Sequence, residues 1–326
     1  MRQQDSGGLE ILCSRPRSAL RGEAASYAGC SIRRRWLFRQ KEDCARALVR
    51  WGVSTGDPVL LCVASTPEFL CVLLALWKLG AVPHLLNPER SPRELQKAVR
   101  RSGARLLLVT DRFLPRVEAA LEEDAPLQTV VIPVGGSMPR RARRRLPPAP
   151  TSEMETLPFR DFLASGRRIP VAPGAPLSPG DLAAVVWQGA EYDEEYRLSH
   201  GELAAGVEAW EGALAPKRGA LFGMLPPWSL TGLPPLLAAL KLGITVILES
   251  ELFPAVLAAA LLRERPPRVL VTPVLWRGLW EQPGIQQEDI TFLETLWVAV
   301  SQEEGVPGGE TPPDVFFPCS VEIIIV

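Results

Sequence analysis

Apolar residues in this chain fall into short dense runs separated by longer stretches at helical spacing. Pro58 to Ala64 and Ala81 to Leu86 are brief, nearly all-apolar runs bounded by turn residues, which predicts buried strands. Between them Pro67 opens a helical stretch to Lys78, and Gly80 stands where a C-cap glycine would. Trp36, Leu37, Cys44, Ala47 and Leu48 recur at helical spacing and predict a helix over Ser31 to Trp51. Helices over Pro92 to Arg101 and Leu114 to Glu123 then alternate with strands at Arg105 to Thr110 and Thr129 to Val134. The rhythm breaks from Gly135 to Ile169 and resumes at Asp181. Strands are predicted at Leu182 to Trp187, Ala220 to Leu225, Ile244 to Leu248, Arg268 to Thr272 and Thr295 to Ser301. Helices are predicted at Ser199 to Leu214, Gly232 to Leu242, Pro254 to Arg265 and Pro273 to Glu281. Such alternation predicts an α/β fold of βαβ units with mostly parallel sheets.

The two halves echo each other. The heptad from Leu74 to Gly80 (LALWKLG) matches that from Leu237 to Gly243 (LAALKLG), each at the end of a helix that leads into a short strand. Two related α/β subdomains follow, over residues 31–170 and 171–326, after an irregular lead-in over 1–30.

Composition narrows the functional classes. With 47% hydrophobic and 22% charged residues the chain is an ordinary globular protein, and a net charge of −1 gives no whole-molecule field for nucleic acid or an acidic membrane surface. Arg140, Arg141, Arg143, Arg144 and Arg145 sit beside Pro147, Pro148 and Pro150. These arginines could form a phosphate- or nucleic-acid-binding arm, but no aromatic residue interleaves them as a single-strand binder requires, so the stretch reads as a solvated linker between the halves, with no nucleic-acid partner. The longest apolar run, Phe69 to Trp77, is too short to span a bilayer, and residues 1–30 hold no signal-peptide core. Six scattered cysteines without a C-x-x-C pair, and only His84 and His200 beside them, argue against a zinc centre and suggest a reduced, cytoplasmic setting.

Several segments, in order, resemble the adenylate-forming superfamily of acyl- and aryl-CoA synthetases. Val53 to Phe69 is similar to its opening "G-V-x-x-G-D…N-S-x-E-F", and Leu76 to Pro88 to its "K-x-G-A-V-x-x-x-L-N-P" step. Ser91 to Leu108 resembles its "S-x-x-E-L" sequel, and Arg197 to Leu203 the start of the helix after the phosphate loop. Leu225 to Leu233 resembles "L-P-L-F-H-x-x-G-L", and Val271 through Ile285 the segment before the adenine loop. The resemblance spans roughly residues 31–325 and implies the family's large N-terminal domain, without its C-terminal lid.

The site segments depart from that pattern. The family activates a carboxylate by attack on the α-phosphate of ATP, which needs backbone amides and a cation around the phosphates. Its "T-S-G-T-T-G-x-P-K-G" loop is replaced here by Gln188 to Tyr196, with Gly189, Ala190, Glu191, Asp193 and Glu194 at its centre. That stretch has one glycine, four carboxylates, no lysine and no hydroxyl apart from tyrosine. Each carboxylate repels a triphosphate by roughly 1–4 kcal/mol at about 4 Å. The family's histidine in "L-P-x-x-H" is replaced by Ser229, beside Trp228, Thr231 and Gly232, which would line a substrate pocket. Its "S-G-G-A-P" adenine turn is replaced by Ser301, Gln302, Glu303, Glu304 and Gly305. The magnesium-binding "Y-G-x-T-E" motif would follow Ile325.

Three readings stand on these residues. The first is a ligase homologue with a degenerate ATP site, no catalytic residues, no metal and no cofactor, which binds an acyl or aryl group, a carrier protein or a protein partner. The second is an active acyl-AMP-forming ligase, using ATP and magnesium, with a non-standard or partner-completed site. The third is a fragment of a ligase. Apolar residues Val321 to Val326 are expected to pair with a second copy or another protein.

Overall fold

The structure, a computed structural model, describes residues 21–121, 127–171, 177–189, 192–215, 219–283, 285, 290–300 and, as backbone, 320–325. Its chain contacts divide it into two units. One holds residues 1–21 and 34–205, the other 22–33 and 206–326.

The first unit is built on strands β3 (Pro58–Cys62), β4 (Val82–Leu85), β5 (Leu106–Thr110), β6 (Gln128–Ile132), β7 (Leu157–Pro158), β8 (Leu182–Gln188) and β9 (Glu194–Ser199). They form a seven-stranded sheet in the order β7-β6-β5-β3-β4-β8-β9, parallel except for the hairpin partner β9. Its helices are α1 (Arg34–Arg50), α2 (Pro67–Leu79), α3 (Pro92–Ser102), α4 (Leu114–Glu118), α5 (Arg140–Arg143), α6 (Phe159–Ser165) and the start of α7 (His200–Leu214). The central strands are continuous apolar runs because helices cover both faces of a parallel sheet, and β5, for instance, is buried at every position. Helix ends follow their local signals. Ser91 and Glu94 form a capping box on α3, and Gly80 closes α2 at φ 70°, where a side chain would be strained.

The second unit has β1 (Glu23–Tyr27), β2 (Cys30–Arg33), β10 (Leu221–Gly223), β11 (Val246–Leu248), β12 (Arg268–Val271), β13 (Thr295–Val300) and β14 (Ser320–Ile325). Its helices are the rest of α7, α8 (Leu233–Leu242), α9 (Pro254–Glu264) and α10 (Pro273–Leu279). The sheet order is β14-β13-β12-β10-β11-β1-β2, again parallel except for one hairpin partner, β2.

The two orders are the same once β3 to β7 are matched with β10 to β14, so the shared heptad marks a repeated topology. The likeness reaches individual side chains. Lys78 near the end of α2 pairs with Glu42 on α1, and Lys241 near the end of α8 pairs with Glu211 on α7 at 2.7 Å. One feature crosses the repeat: each half's leading hairpin completes the other half's sheet. β1 pairs with β11, while β8 pairs with β4.

The structure corrects four sequence expectations. The lead-in over 1–30 contains strand β1, and the helix expected from Ser31 begins only at Arg34 because Cys30–Arg33 is the second arm of the hairpin. The division between units falls within α7 rather than at residue 170, since β8 and β9 belong to the first sheet. The Arg/Pro stretch is not a link between the halves. Its β7 adds to β6, and α6 returns to α1, with Trp51 Nε1 donating to Ser165 Oγ at 3.0 Å.

Candidate functional site

In the first unit the region that should cradle phosphates is the connection between β8 and β9. The ladder runs on to Gln188 opposite Glu194, so Glu194 and Glu195 are strand residues rather than part of an open acidic turn. Gly189 takes φ +86°, and the Tyr192 amide donates back to the Gly189 carbonyl at 3.1 Å. Ala190 and Glu191, between them, lie outside the described residues.

Tyr192 closes this turn from within. Although it sits at φ +53°, its side chain is fully buried against Trp187, with ring centroids 6.4 Å apart. Its hydroxyl accepts the Asn87 amide proton at 2.7 Å, just beyond β4. Burial pushes the phenol well above its ordinary pKa, so it stays a neutral hydrogen-bonding group. Arginines from the α3 region cover the same turn. The Arg90 guanidinium lies 5.0 Å over the Tyr192 ring and that of Arg101 5.4 Å over Trp187. Arg101 also pairs with Glu195 at 3.2 Å and donates to the Asp193 carbonyl. Asp193 and Glu194 themselves are exposed.

Beneath the turn His84 and Trp187 are neighbours, with ring centroids 6.2 Å apart, and among the described residues His84 Nδ1 and Trp187 Nε1 have no hydrogen-bond partner. Burial lowers His84 to about 4 and keeps it neutral. His200, the first residue of α7, is likewise lowered to about 4 by burial and meets Trp77 edge-on at 5.6 Å, which is a packing role at a helix start. Sequence reasoning singled out the turn's glycine and carboxylates and missed Asn87, Arg90, Arg101 and the inserted Tyr192. The one available signal was an aromatic residue where the family pattern has small ones.

In the second unit Trp228, Ser229 and Thr231 precede α8, with Gly232 in the N-cap position. The Ser229 hydroxyl donates to the Pro226 carbonyl at 2.7 Å, accepts the Gly232 amide proton at 3.1 Å, and lies 2.9 Å from Thr231 Oγ1. A Cβ on Gly232 would meet the Pro226 carbonyl oxygen at 2.1 Å, so only glycine fits there. Trp228 is 7% exposed. Trp276 and Trp280, one turn apart around α10, pack edge-to-face at 5.6 Å. Ser301, Gln302, Glu303 and Gly305 lie outside the described residues. Among the described residues no three metal-ligating side chains converge, and no helix is long and apolar enough to cross a membrane.

Comparison with known proteins agrees with this architecture. The family model of AMP-binding enzymes matches residues 20–187. The chain is 25% identical over 269 residues to 4-coumarate–CoA ligase 2 of Oryza sativa subsp. japonica, covering 77% of this chain and 45% of that protein. It is 26% identical over 293 residues to a 3-hydroxybenzoate–CoA/4-hydroxybenzoate–CoA ligase of Thauera aromatica, covering 85% and 51%. It thus spans about half the length of these curated relatives. Among solved structures, a benzoate CoA ligase from Burkholderia xenovorans LB400 superimposes with a TM-score of 0.78 at 19% identity, over 98% of this chain and 60% of that one. With a model match over half its length and a shared fold, the chain belongs to the AMP-binding enzyme family.

Proposed function

We propose that this family member binds rather than catalyses: an adenylate-forming ligase homologue whose nucleotide loop is closed, serving as a module for an acyl or aryl group, a carrier protein or a protein partner. The observation that carries this reading is the insertion of Tyr192. A loop that wraps a triphosphate needs free amides pointing at the phosphates and a backbone able to open. Here the Tyr192 amide is spent on Gly189 and the Asn87 amide on the tyrosine hydroxyl. The nearby cations are spent as well, Arg101 on Glu195 and Arg90 on Glu94. ATP and magnesium are therefore not expected to bind, and no residue is assigned a catalytic or metal-holding role.

The ligand class rests on kinship. Both curated relatives named above are ligases of aryl acids, and the Trp228 to Gly232 turn is the stretch of this chain that would border such a group. The outer edge of β14 is the surface to which a second copy or another protein would add a strand. Free cysteines at 30, 44, 62 and 71 suit a reducing, cytoplasmic setting.

Titration calorimetry of the chain with Mg-ATP, read beside thermal unfolding, tests the closed loop. No heat and no shift at millimolar nucleotide are expected. A micromolar Kd would stabilise the fold by about 4 kcal/mol and raise Tm by roughly 10 °C, and would put the active ligase first.

A further inference from the structure

The arginine cluster is left over from everything described so far, and the fold makes it a fixed surface feature. Arg140, Arg141, Arg144 and Arg145 are all exposed, and among the described residues no carboxylate pairs with any of them. Arg143 holds the base of the segment by donating to the carbonyls of Gly136 and Met138, both at 3.2 Å. Backbone bonds extend α5 by another turn, from the Arg144 amide to Arg140 and from the Arg145 amide to Ala142. At 100° per residue the four unpaired arginines then fall within an arc of about 140°, while Ala142 and Arg143 occupy the other side. The result is a one-sided cationic face on a short rigid knob.

The surroundings say what such a face fits. The first unit carries 28 Lys and Arg against 22 Asp and Glu, the second 8 against 15, so the cluster lies on the positive unit of a nearly neutral chain. Guanidinium forks match phosphate and carboxylate oxygens in pairs. No aromatic residue occurs between Pro133 and Glu155, so there is nothing to stack on unpaired bases. A flat array of anionic groups answers a one-sided arc better than a groove that surrounds its ligand. We propose that the Arg140–Arg145 knob is an electrostatic docking site for an anionic lipid surface, on which the chain lies without insertion.

Sedimentation with vesicles tests this, using the whole chain at about 0.1 M salt. Phosphatidylcholine vesicles containing about 30% phosphatidylserine should carry the protein down, and pure phosphatidylcholine vesicles should not. Replacing Arg140, Arg141, Arg144 and Arg145 with Ala should lower partitioning by up to about fivefold for each arginine removed, and added salt should do the same. Arg143 is kept and the four side chains have no partner among the described residues, so an unchanged melting curve separates lost docking from lost folding. Equal binding to both vesicle types, or binding that survives the four replacements, would overturn the proposal. So would tighter binding to a short RNA duplex than to the anionic vesicles, which would assign the knob to nucleic acid.

Discussion

At the scale of single residues, two buried polar groups decide how the first unit behaves. Tyr192 accepts a left-handed backbone, which costs roughly 1–2 kcal/mol, in return for a buried ring and an anchored hydroxyl. Tyr192→Phe keeps the ring but leaves the Asn87 amide without its partner, and should destabilise the protein by about 1–3 kcal/mol in urea unfolding. If the variant matched the parent, the hydroxyl would not be what pins the turn. Glu68 is the second group. It lies in the first turn of α2 and accepts the Ser137 hydroxyl proton at 3.3 Å. Burial, against which these hydrogen bonds work, raises its carboxyl to about 7. The folded state therefore prefers the protonated form. Its contribution to stability is complete below pH 4.5, the ordinary value, and is lost as pH climbs through 7. Glu68→Gln imitates the protonated form, so parent and variant should be close at pH 4.5 and diverge above. By pH 8 the variant should be more stable by up to about 3 kcal/mol. His84 and His200 titrate alike in both proteins and drop out of the difference. A gap in denaturant midpoint that stays constant from pH 4.5 to 8 would sink this account.

At the scale of elements, the repeated lysine–glutamate pairs give the internal likeness an energetic test. In each half the lysine lies in the last turn of a helix whose end is closed by a left-handed glycine, Gly80 or Gly243. All four side chains are about one-fifth exposed, so each pair should be worth about 0.5–1 kcal/mol, with salt screening part of it. Double-mutant cycles on Glu42–Lys78 and Glu211–Lys241 should return coupling energies alike within that range. A sizeable coupling in one half and none in the other would mean that the pairs share position without sharing a role. Elements with a strong local signal were legible in the sequence. The apolar strands, the proline-led helices other than α4 and their glycine caps lie within two or three residues of expectation, because burial and capping are written locally. Helix α4 ends at Glu118 rather than at the expected Glu123, and residues 122 and 123 lie outside the described residues. Strands β1, β2 and β9 were not legible. Glu23–Tyr27 offers no alternation, and Glu194–Ser199 carries three charged residues that an edge strand tolerates and a central one would not. What makes them strands is a partner far along the chain. The site divides in the same way: the glycine and carboxylates between β8 and β9 could be read directly, whereas the Tyr192–Asn87 bond joins residues 105 apart.

At the scale of the whole molecule, the exchange of hairpins sets what can fold alone. All strands of the first sheet lie between Pro58 and Ser199, so a fragment over 34–214 carries its sheet entire. A fragment over 200–326 lacks β1 and β2, which supply the buried side chains of Ala24, Ala25, Tyr27 and Ile32 beside β11. Burying Tyr27 and Ile32 alone is worth about 4–6 kcal/mol, and domains of this size are stable by only about 5–15 kcal/mol. The first fragment should therefore unfold cooperatively in urea. The second should lack a sharp transition until a peptide over 21–33 is added, which would restore it by pairing Ala25 with Val246 and Tyr27 with Leu248. A peptide with Tyr27→Ala should fail to do so. Cooperative folding of 200–326 by itself would show that the second sheet stands without its borrowed hairpin, and the crossed connection would then record how the halves are joined and not what holds them up.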